Sequence, residues 1–311
     1  MWKKNLFYAG IIVAASGLIG PPLALAAGLV FGLSTEHTFH AESRKLSKFL
    51  LQAAVVCLGF GMNLKEVVHA GASGFIYTAI SITFALSLGV AFGKMLQVGK
   101  VQSLLISFGT AICGGSAIAA MGPVLEANDE QMAVSLGTVF VLNSVALLIF
   151  PLIGHLMHFS ETQFGLWAAL AIHDTSSVVG AAAKYGPTAL AVGTTVKLAR
   201  ALWIVPLVIA TAMLKKSQAK VSWPWFILYF CVAAVLASYV PHYLPQSEGV
   251  FSGLYRLGRA ALTVVLFLIG TGITRNTLKE VGLRPLVQGV ALWIVVGALS
   301  LWAIHVGWIA L

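Results

Sequence analysis

Eleven apolar segments succeed one another along this chain, and charged residues are confined almost entirely to the short breaks between them. They run over 5–19, 21–33, 47–64, 71–93, 102–122, 131–157, 163–184, 188–214, 223–243, 258–274 and 286–310. A helix needs about 20 residues to cross the bilayer core. Inside that core every backbone N–H and C=O must be paired within the protein, which leaves helices or a closed barrel. Only 9% of the 311 residues are charged and 59% are hydrophobic, whereas a soluble domain carries roughly 25% charged residues. The chain therefore reads as an all-α polytopic membrane protein. It forms one integral-membrane domain over 1–311, with approximate halves 1–158 and 163–311 and about eight to eleven transmembrane or re-entrant helices.

The first two segments are short for a crossing, and Gly20-Pro21-Pro22 parts them, so a tilted pair or a re-entrant hairpin is expected. Lys3-Lys4, the following apolar run and Ala24-Leu25-Ala26 imitate a cleavable leader, but apolar sequence resumes directly after Pro21-Pro22, which favours retention. The net charge of +9 is not a nucleic-acid footprint, because the basic residues sit in short loops. Lys3-Lys4, Arg44-Lys45-Lys48, Lys94 with Lys100, Lys215-Lys216-Lys220 and Arg275-Lys279-Arg284 fall on one side if the segments alternate. Glu126-Asp129-Glu130 and the loop around Glu248 fall on the other. The positive-inside rule then predicts a bacterial inner-membrane protein with a cytoplasmic N-terminus and an external C-terminus. That parity survives if 102–122 and 163–184 both re-enter. Cys57, Cys113 and Cys231 lie scattered in apolar segments and read as small buried hydrophobes. Most of the eight tryptophans, Trp167 among them, fall near segment ends as an interfacial belt would.

Residues 170–206 put charge at bilayer depth: His173 and Asp174 near the middle of one segment, Lys197 and Arg200 near the middle of the next. An ionisable group there costs at least ~2.5–3.5 kcal/mol and by default marks a substrate or ion path. The same stretch is one copy of an internal repeat. Gly109–Pro123 (GTAICGGSAIAAMGP) pairs with His173–Pro187 (HDTSSVVGAAAKYGP), each a polar centre before an Ala-rich run ending in Gly-Pro. A similar span follows each, Gly137-Thr138 matching Gly193-Thr194. A second repeat pairs Leu58–Val67 with Ile269–Val281, and its odd parity makes that pair inverted in the membrane. The first pair is inverted only if both of its blocks are re-entrant. Inverted halves with interrupted helices at the midplane point to a secondary transporter.

The candidate site residues lie in these blocks. Thr110 and Cys113-Gly114-Gly115-Ser116 interrupt a span with glycines and hydroxyls. Unwinding there frees backbone N–H groups that favour an anion at a half-helix start; close packing through small residues is the competing reading. In His173-Asp174-Thr175-Ser176-Ser177, Asp174 could carry a coupling proton, bind a cation, or neutralise Lys197 and Arg200. His173, with an unperturbed pKa near ~6.5, could exchange protons or be a buried hydrogen-bonded histidine. Lys197 and Arg200 share a helix face and suit an oxyanion, as a point charge and a planar donor fork. A structural ion pair with Asp174 competes, and leaves one cation over. Asn143 and Ser144 occupy roughly equivalent positions in the earlier span and offer neutral donors. His155 and His158 share a helix face at a segment end without a convincing third ligand, so no metal and no cofactor are expected. No P-loop, nucleophile elbow or HExxH motif occurs, and the chain does not read as an enzyme.

Gly59-Phe60-Gly61-Met62-Asn63-Leu64, Gly109–Ala120, Ile172–Ala181, Val196–Arg200 (VKLAR) and Gly282–Pro285 (GLRP) together give a resemblance over nearly the whole chain. It resembles the sulfate exporter family of bacterial inner-membrane proteins, related to the bile acid/arsenite/riboflavin transporter superfamily. The resemblance implies a helical transporter of inverted repeats, with a panel or gate bundle beside a core bundle and no use of ATP. "Sulfate" is carried over as a label for small oxyanions. The superfamily's two-halves pattern would place the GxG-type repeat earlier than Ile269, near the chain's end, where it stands here.

The expectation is a secondary active transporter that exports a small inorganic or sulfur-containing anion, coupled to protons. Lys197 and Arg200 would hold the anion with Gly114, Gly115, Ser116, Thr110, Ser176, Ser177 and Asn143; His173 or Asp174 would handle the coupling ion. The alternative is a Na⁺-coupled organic-anion symporter or a cation/proton antiporter using Asp174. An intramembrane metalloenzyme using His155, His158 and His173 is a third class, and a channel a fourth. Expected partners are the anion, protons or sodium and the lipid bilayer, with a homodimer left open.

Overall fold

The computed structural model describes residues 2–34, 40–62, 64–215, 225–272 and 282–310, and every regular element among them is helical. Helices long and apolar enough to cross a membrane cover Tyr77–Met95, Glu130–Leu156, Pro187–Lys215, Trp225–Tyr243, Ser247–Thr271 and Leu283–His305. The chain divides into two compact units, Met1–His69 with Pro224–Arg275, and Ala70–Trp223 with Asn276–Leu311. Each unit draws on both of the halves 1–158 and 163–311, so compactness and duplication cut the chain in different places.

The first unit contains α1 (Trp2–Ala15), α2 (Pro21–Ser34), α3 (His40–Gly59), α12 (Trp225–Tyr243) and α13 (Ser247–Thr271). The chain reverses between α1 and α2, where Gly17 takes φ +77. Phe7 near the start of α1 and Phe31 near the end of α2 lie 5.9 Å apart, and Phe7 lies 6.1 Å from Phe267 of α13. The expected pair is therefore a hairpin, folded against α13. The backbones of α2 and α13 nearly touch: a Cβ on Gly28 would lie 2.2 Å from the Phe267 carbonyl oxygen, and one on Gly270 would lie 2.5 Å from that of Leu25. Small residues that admit such close approach are what drives helix association in lipid. The obstacle is main chain, which cannot swing aside. Gly28→Val is expected to lower the melting temperature of the purified protein by the equivalent of about 1–3 kcal/mol. Gly253→Val, on α13 with open space around it, is the control that should melt within a degree or two of the parent.

The repeat of Leu58–Val67 starts, like its partner at Ile269, where a long helix ends: α3 stops at Gly59 and α13 at Thr271. The rest of that partner, 273–281, lies outside the described residues.

The second unit holds most of α4 (Leu64–Met95), then α5 (Lys100–Ala111), α6 (Gly115–Val124), α7 (Asp129–Leu156), α8 (Glu161–Ala171), α9 (Thr175–Tyr185), α10 (Pro187–Leu202), α11 (Ile204–Lys215) and α14 (Leu283–His305). Segments 102–122 and 163–184, each long enough to cross, are instead pairs of half-helices. The pieces have 10 to 12 residues, and at 1.5 Å per residue each reaches about halfway through a 30 Å core.

Both pairs fold back on themselves. Tyr185, at the end of α9, stacks on Phe164 of α8 at 3.8 Å and donates its hydroxyl to the Phe159 carbonyl at 2.6 Å. The Glu161 carboxylate, at the start of α8, accepts from Thr188 N at 2.7 Å and caps α10. The mouth of the α8–α9 hairpin thus lies beside the C-terminal end of α7, where His155 also stacks on Tyr185 at 4.3 Å. The α5–α6 hairpin opens at the other end of α7. Along α6, Gly115 abuts Leu136 and Phe140 of α7 while Gly122 abuts Met132, so α6 runs antiparallel to α7. Along α5, Ser103 meets Gln288 of α14, and Ser107 lies near Gly89, which a Cβ would crowd against Leu292 of that helix. Gly289 of α14 meets Thr138 and Leu142, and Trp293 stacks with Phe150 further along α7. Hence α5 and α14 run with α7, and α6 returns.

The two hairpins therefore enter from opposite ends of α7, which is the condition under which their sequence repeat is inverted. One expectation is corrected by the same geometry. The loop carrying Glu126, between α6 and α7, lies at the end of the unit where α5 begins after Lys94 and Lys100, because the first block returns instead of crossing. Two others fall as well. Trp167 is 2% exposed and donates to the Gly297 carbonyl at 3.0 Å inside the unit, because α8 is the inner leg of a hairpin rather than a crossing helix. Of the three free cysteines, Cys113 is buried, Cys57 half-buried and Cys231 exposed on α12.

Candidate functional site at the meeting of two hairpin tips

The tips meet halfway along α7. The first turns at Ile112-Cys113-Gly114, where Gly114 takes φ +67 and ψ −128 and returns its N–H to the Gly109 carbonyl at 2.9 Å. Residues with a Cβ avoid that conformation, and the position is also full: a Cβ on Gly114 would lie 2.9 Å from Cβ of Asp174 in the other tip. The second tip, Ile172-His173-Asp174, turns without glycine. Its backbone is extended, and the Asp174 side chain caps α9 by accepting from Ser177 N at 2.6 Å. Gly114 and Asp174 are the N-caps of equivalent half-helices. Pairing Gly109 with His173 by sequence therefore sets the register of the repeat off by about one helical turn.

Breaking a helix in a membrane strands the carbonyls at its C-terminal end, and the two buried cations of α10 attend to them. Arg200, 0% exposed, donates Nε to the Ala111 carbonyl at 2.6 Å and Nη2 to that of Thr110 at 3.1 Å, both on α5. Its Nη1 donates to the carbonyls of Leu170 and Ala169 at the end of α8. One guanidinium thus ties together the ends of both hairpins. With Ile112 N on the Phe108 carbonyl and Gly114 N on that of Gly109, all four terminal carbonyls of α5 are satisfied. Lys197, also 0% exposed, donates to the carbonyls of Ile172 at 2.6 Å and Ala169 at 3.3 Å.

The N-terminal ends receive the opposite treatment. Asp174 Oδ1 accepts from Ser177 N and from the Ser176 hydroxyl at 2.9 Å, and Oδ2 accepts from Asn143 Nδ2 at 3.1 Å. Asn143, on α7, also accepts His173 N at 3.1 Å and Asp174 N at 3.3 Å through its Oδ1. Those two backbone donors fix the amide orientation, and with it the donor aimed at the carboxylate.

The structure thus brings His173, Asp174, Lys197, Arg200, Asn143, Thr110, Gly114, Ser176 and Ser177 together. Gly115 is half-buried at the start of α6, and Ser116 next to it is exposed. The Ser176 hydroxyl is engaged by Asp174, and Asn143 clamps the second tip rather than standing free. Two buried groups of the crossing have no partner among the described residues: the Thr110 hydroxyl and both ring nitrogens of His173. Among the described residues no three His, Cys, Asp or Glu side chains come together to hold a metal.

Gln288 of α14 was not singled out by its sequence. It is 0% exposed and donates to Gly89 O at 3.0 Å and to the Ser103 hydroxyl at 2.8 Å, pinning α5 between α4 and α14. The lone glutamine of the run 286–310, whose other polar side chains are Ser300 and His305, was the available signal.

Long apolar helices interleaved with half-helices define a multi-pass, all-α membrane protein whose buried His173, Asp174, Lys197 and Arg200 gather at one crossing point. The chain belongs to the family described as conserved hypothetical protein 698, whose model matches residues 8–289. Among its relatives, a UPF0324 membrane protein of Geobacter sulfurreducens is 46% identical over 308 residues, covering 99% of this chain and 98% of the relative. One from Bacteroides thetaiotaomicron is 48% identical over 298 residues, covering 95% and 89%. Another, from Bdellovibrio bacteriovorus, is 47% identical over 313 residues, covering 98% and 95%. No solved structure matches the chain.

Proposed function

We propose that this protein is a secondary transporter that exports a small, sulfate-like inorganic or sulfur-containing anion in exchange with or alongside protons, and that it is not an enzyme. The observation that carries the reading is the crossing itself: two re-entrant hairpins from opposite sides, tip against tip, with fixed charge at mid-depth. Inverted, interrupted helices whose half-helix N-termini face a midplane site are the architecture of alternating access.

The charge balance favours an anion. Each half-helix end carries about half an elementary charge, positive at the N-terminus and negative at the C-terminus. The N-terminal ends of α6 and α9 are balanced by Asp174, and the C-terminal ends of α5 and α8 by Arg200. Lys197 is left over, a buried positive charge that an anion would neutralise. The unpartnered His173 ring and Thr110 hydroxyl supply neutral hydrogen bonds to it. A cation reading built on Asp174 has less support, because both carboxylate oxygens already accept from protein donors. By the positive-inside rule the basic loops favour an N-terminus in the cytoplasm and a C-terminus outside the inner membrane.

The test is a thermal-shift and proteoliposome-flux panel of sulfate, sulfite, sulfonates and carboxylates run across pH. At least one oxyanion should stabilise the protein and cross the vesicle wall. Thr110→Val should weaken its binding about 2- to 10-fold, the value of one hydrogen bond. No binding and no flux by any anion of the panel sinks the proposal.

A further inference from the structure

We propose that Lys197, rather than His173 or Asp174, is the group that takes up and releases the coupling proton; the inference rests on the transport reading above. Two observations single it out, and the chemistry of the anion links it to transport.

The first is its hydrogen bonding. Lys197 Nζ donates to two carbonyls, Ile172 and Ala169, and no third acceptor is present among the described residues. An ammonium has three protons and an amine two. Loss of the third leaves both carbonyl bonds in place, so either protonation state fits the crossing without rearrangement.

The second is the electrostatic surroundings. The ionisable groups facing Lys197 are Arg200 on its own helix, His173 and Asp174 at the α8–α9 tip and Cys113 at the α5–α6 tip. From α4, Gly71 meets Thr195 and Gly74 meets Val196 of α10, and neither ionises. Arg200 keeps its proton at any accessible pH and is matched by two helix C-termini. Asp174 is committed to three protein donors and caps α9. A proton on the His173 ring would add a third positive charge beside Lys197 and Arg200 with no acceptor to receive it. Lys197 is the remaining group whose charge is both unmatched and removable.

The link to transport is what the anion supplies. With the site empty, the ammonium is a buried charge without a counter-ion, and it loses its proton to water on the side where the site stands open. When an anion arrives at the tips, the ammonium form is restored and the two charges move as a pair. Proton and anion are thereby linked through one nitrogen: binding requires uptake, and release returns the proton.

The experiment is calorimetric titration of the purified full-length protein with sulfate and with methanesulfonate, neither of which titrates in the range used. Repeating it in buffers of different ionisation enthalpy counts the protons taken up per anion. Wild-type protein should take up about one proton per anion at alkaline pH and close to none at acid pH, with affinity falling about tenfold per pH unit above the midpoint. Lys197→Arg keeps the charge and should bind with no proton uptake and no such pH slope. Lys197→Gln should also show no uptake and should bind more weakly at every pH, which keeps the test decisive if the bulkier arginine does not fold. His173→Gln should alter affinity while the proton count stays near one. Uptake that persists in both lysine variants, or that disappears in His173→Gln alone, overturns the assignment. Anion binding by wild type without any proton uptake also overturns it but leaves the transport reading standing, whereas failure of wild type to bind either anion removes that reading itself.

Discussion

Arg200→Met is expected to loosen both hairpins before any question of anion recognition arises. The side chain is fully buried, and its donors lie on the carbonyls of Thr110, Ala111, Ala169 and Leu170. Methionine fills much of the volume but leaves the Thr110, Ala111 and Leu170 carbonyls without this donor, while Ala169 keeps Lys197. A buried polar group left unpaired costs about 1–3 kcal/mol, and removing one member of a buried charge network costs about 3–5 kcal/mol. The expected loss is thus a large part of the stability of an ordinary domain. Arg200→Lys should fall between, because an ammonium has three protons for the four carbonyls that the planar guanidinium serves. Melting temperature measures the loss. Cys113 reports where it occurs, since it sits buried in the first tip. In a background lacking Cys57 and Cys231, maleimide should label Cys113 slowly in the parent and rapidly in Arg200→Met. A variant that melts and labels like the parent would show that the guanidinium holds nothing together. From the sequence alone, Arg200 reads as an anion ligand. The geometry makes the first lesion a folding one, and an anion-binding assay on this variant is interpretable only after folding is shown.

Much of this architecture is legible in the sequence because the bilayer leaves few options. Apolar segments of membrane length become helices for want of any other way to pair their backbone, and the two polar blocks inside such segments are where the helices break. The repeat of Gly109–Pro123 in His173–Pro187 signals that the breaks are equivalent. What the sequence withholds is whether a broken segment crosses or returns. Charge counting is blind to it, since two returns and two crossings leave the loops after α9 on the same sides, and only the two loops flanking α7, one with Glu126 and one with His158, change sides. The register is hidden for a related reason. Gly114 and Asp174 do the same work by different chemistry, one through a positive φ and the other through a side-chain cap, so residue similarity does not align them. The roles of Lys197 and Arg200 are hidden most deeply. Basic residues near mid-bilayer announce a site, but the carbonyls they serve lie about 25 to 90 residues away along the chain. They become acceptors only because the half-helices end there. Gln288 shows the same limit, its partners Gly89 and Ser103 belonging to two other helices.

Gly114→Ala is expected to be the most damaging exchange of a single methyl group in the protein. Its φ of +67 with ψ −128 lies where an L-residue collides with its own backbone, a cost of about 1–2 kcal/mol in the left-handed region. The new methyl would also sit 2.9 Å from Cβ and 3.3 Å from Cα of Asp174, and 3.3 Å from a methyl of Val139. None of these can yield cheaply. Asp174 is held by Asn143, Ser176 and Ser177, and Val139 is part of the long helix α7. Overpacking of this kind adds about 1–3 kcal/mol, and the relief open to the structure is to draw the tips apart. Separation of the tips would dismantle the point where both half-helix N-termini meet, so melting temperature and anion flux should fall together. Gly115→Ala is the control that isolates the cause. Its methyl would meet the ring edge of Phe140 and a Leu136 methyl at 3.1 to 3.3 Å, flexible side-chain atoms, and its backbone is ordinary first-turn helix. It should cost well under half as much. Equal melting temperatures for the two alanine variants would mean that the contact between Gly114 and Asp174 does not hold the crossing in register. A Gly114→Ala protein that melts lower but still carries anion at the parental rate would separate stability from transport and remove the tips as the place where the anion binds.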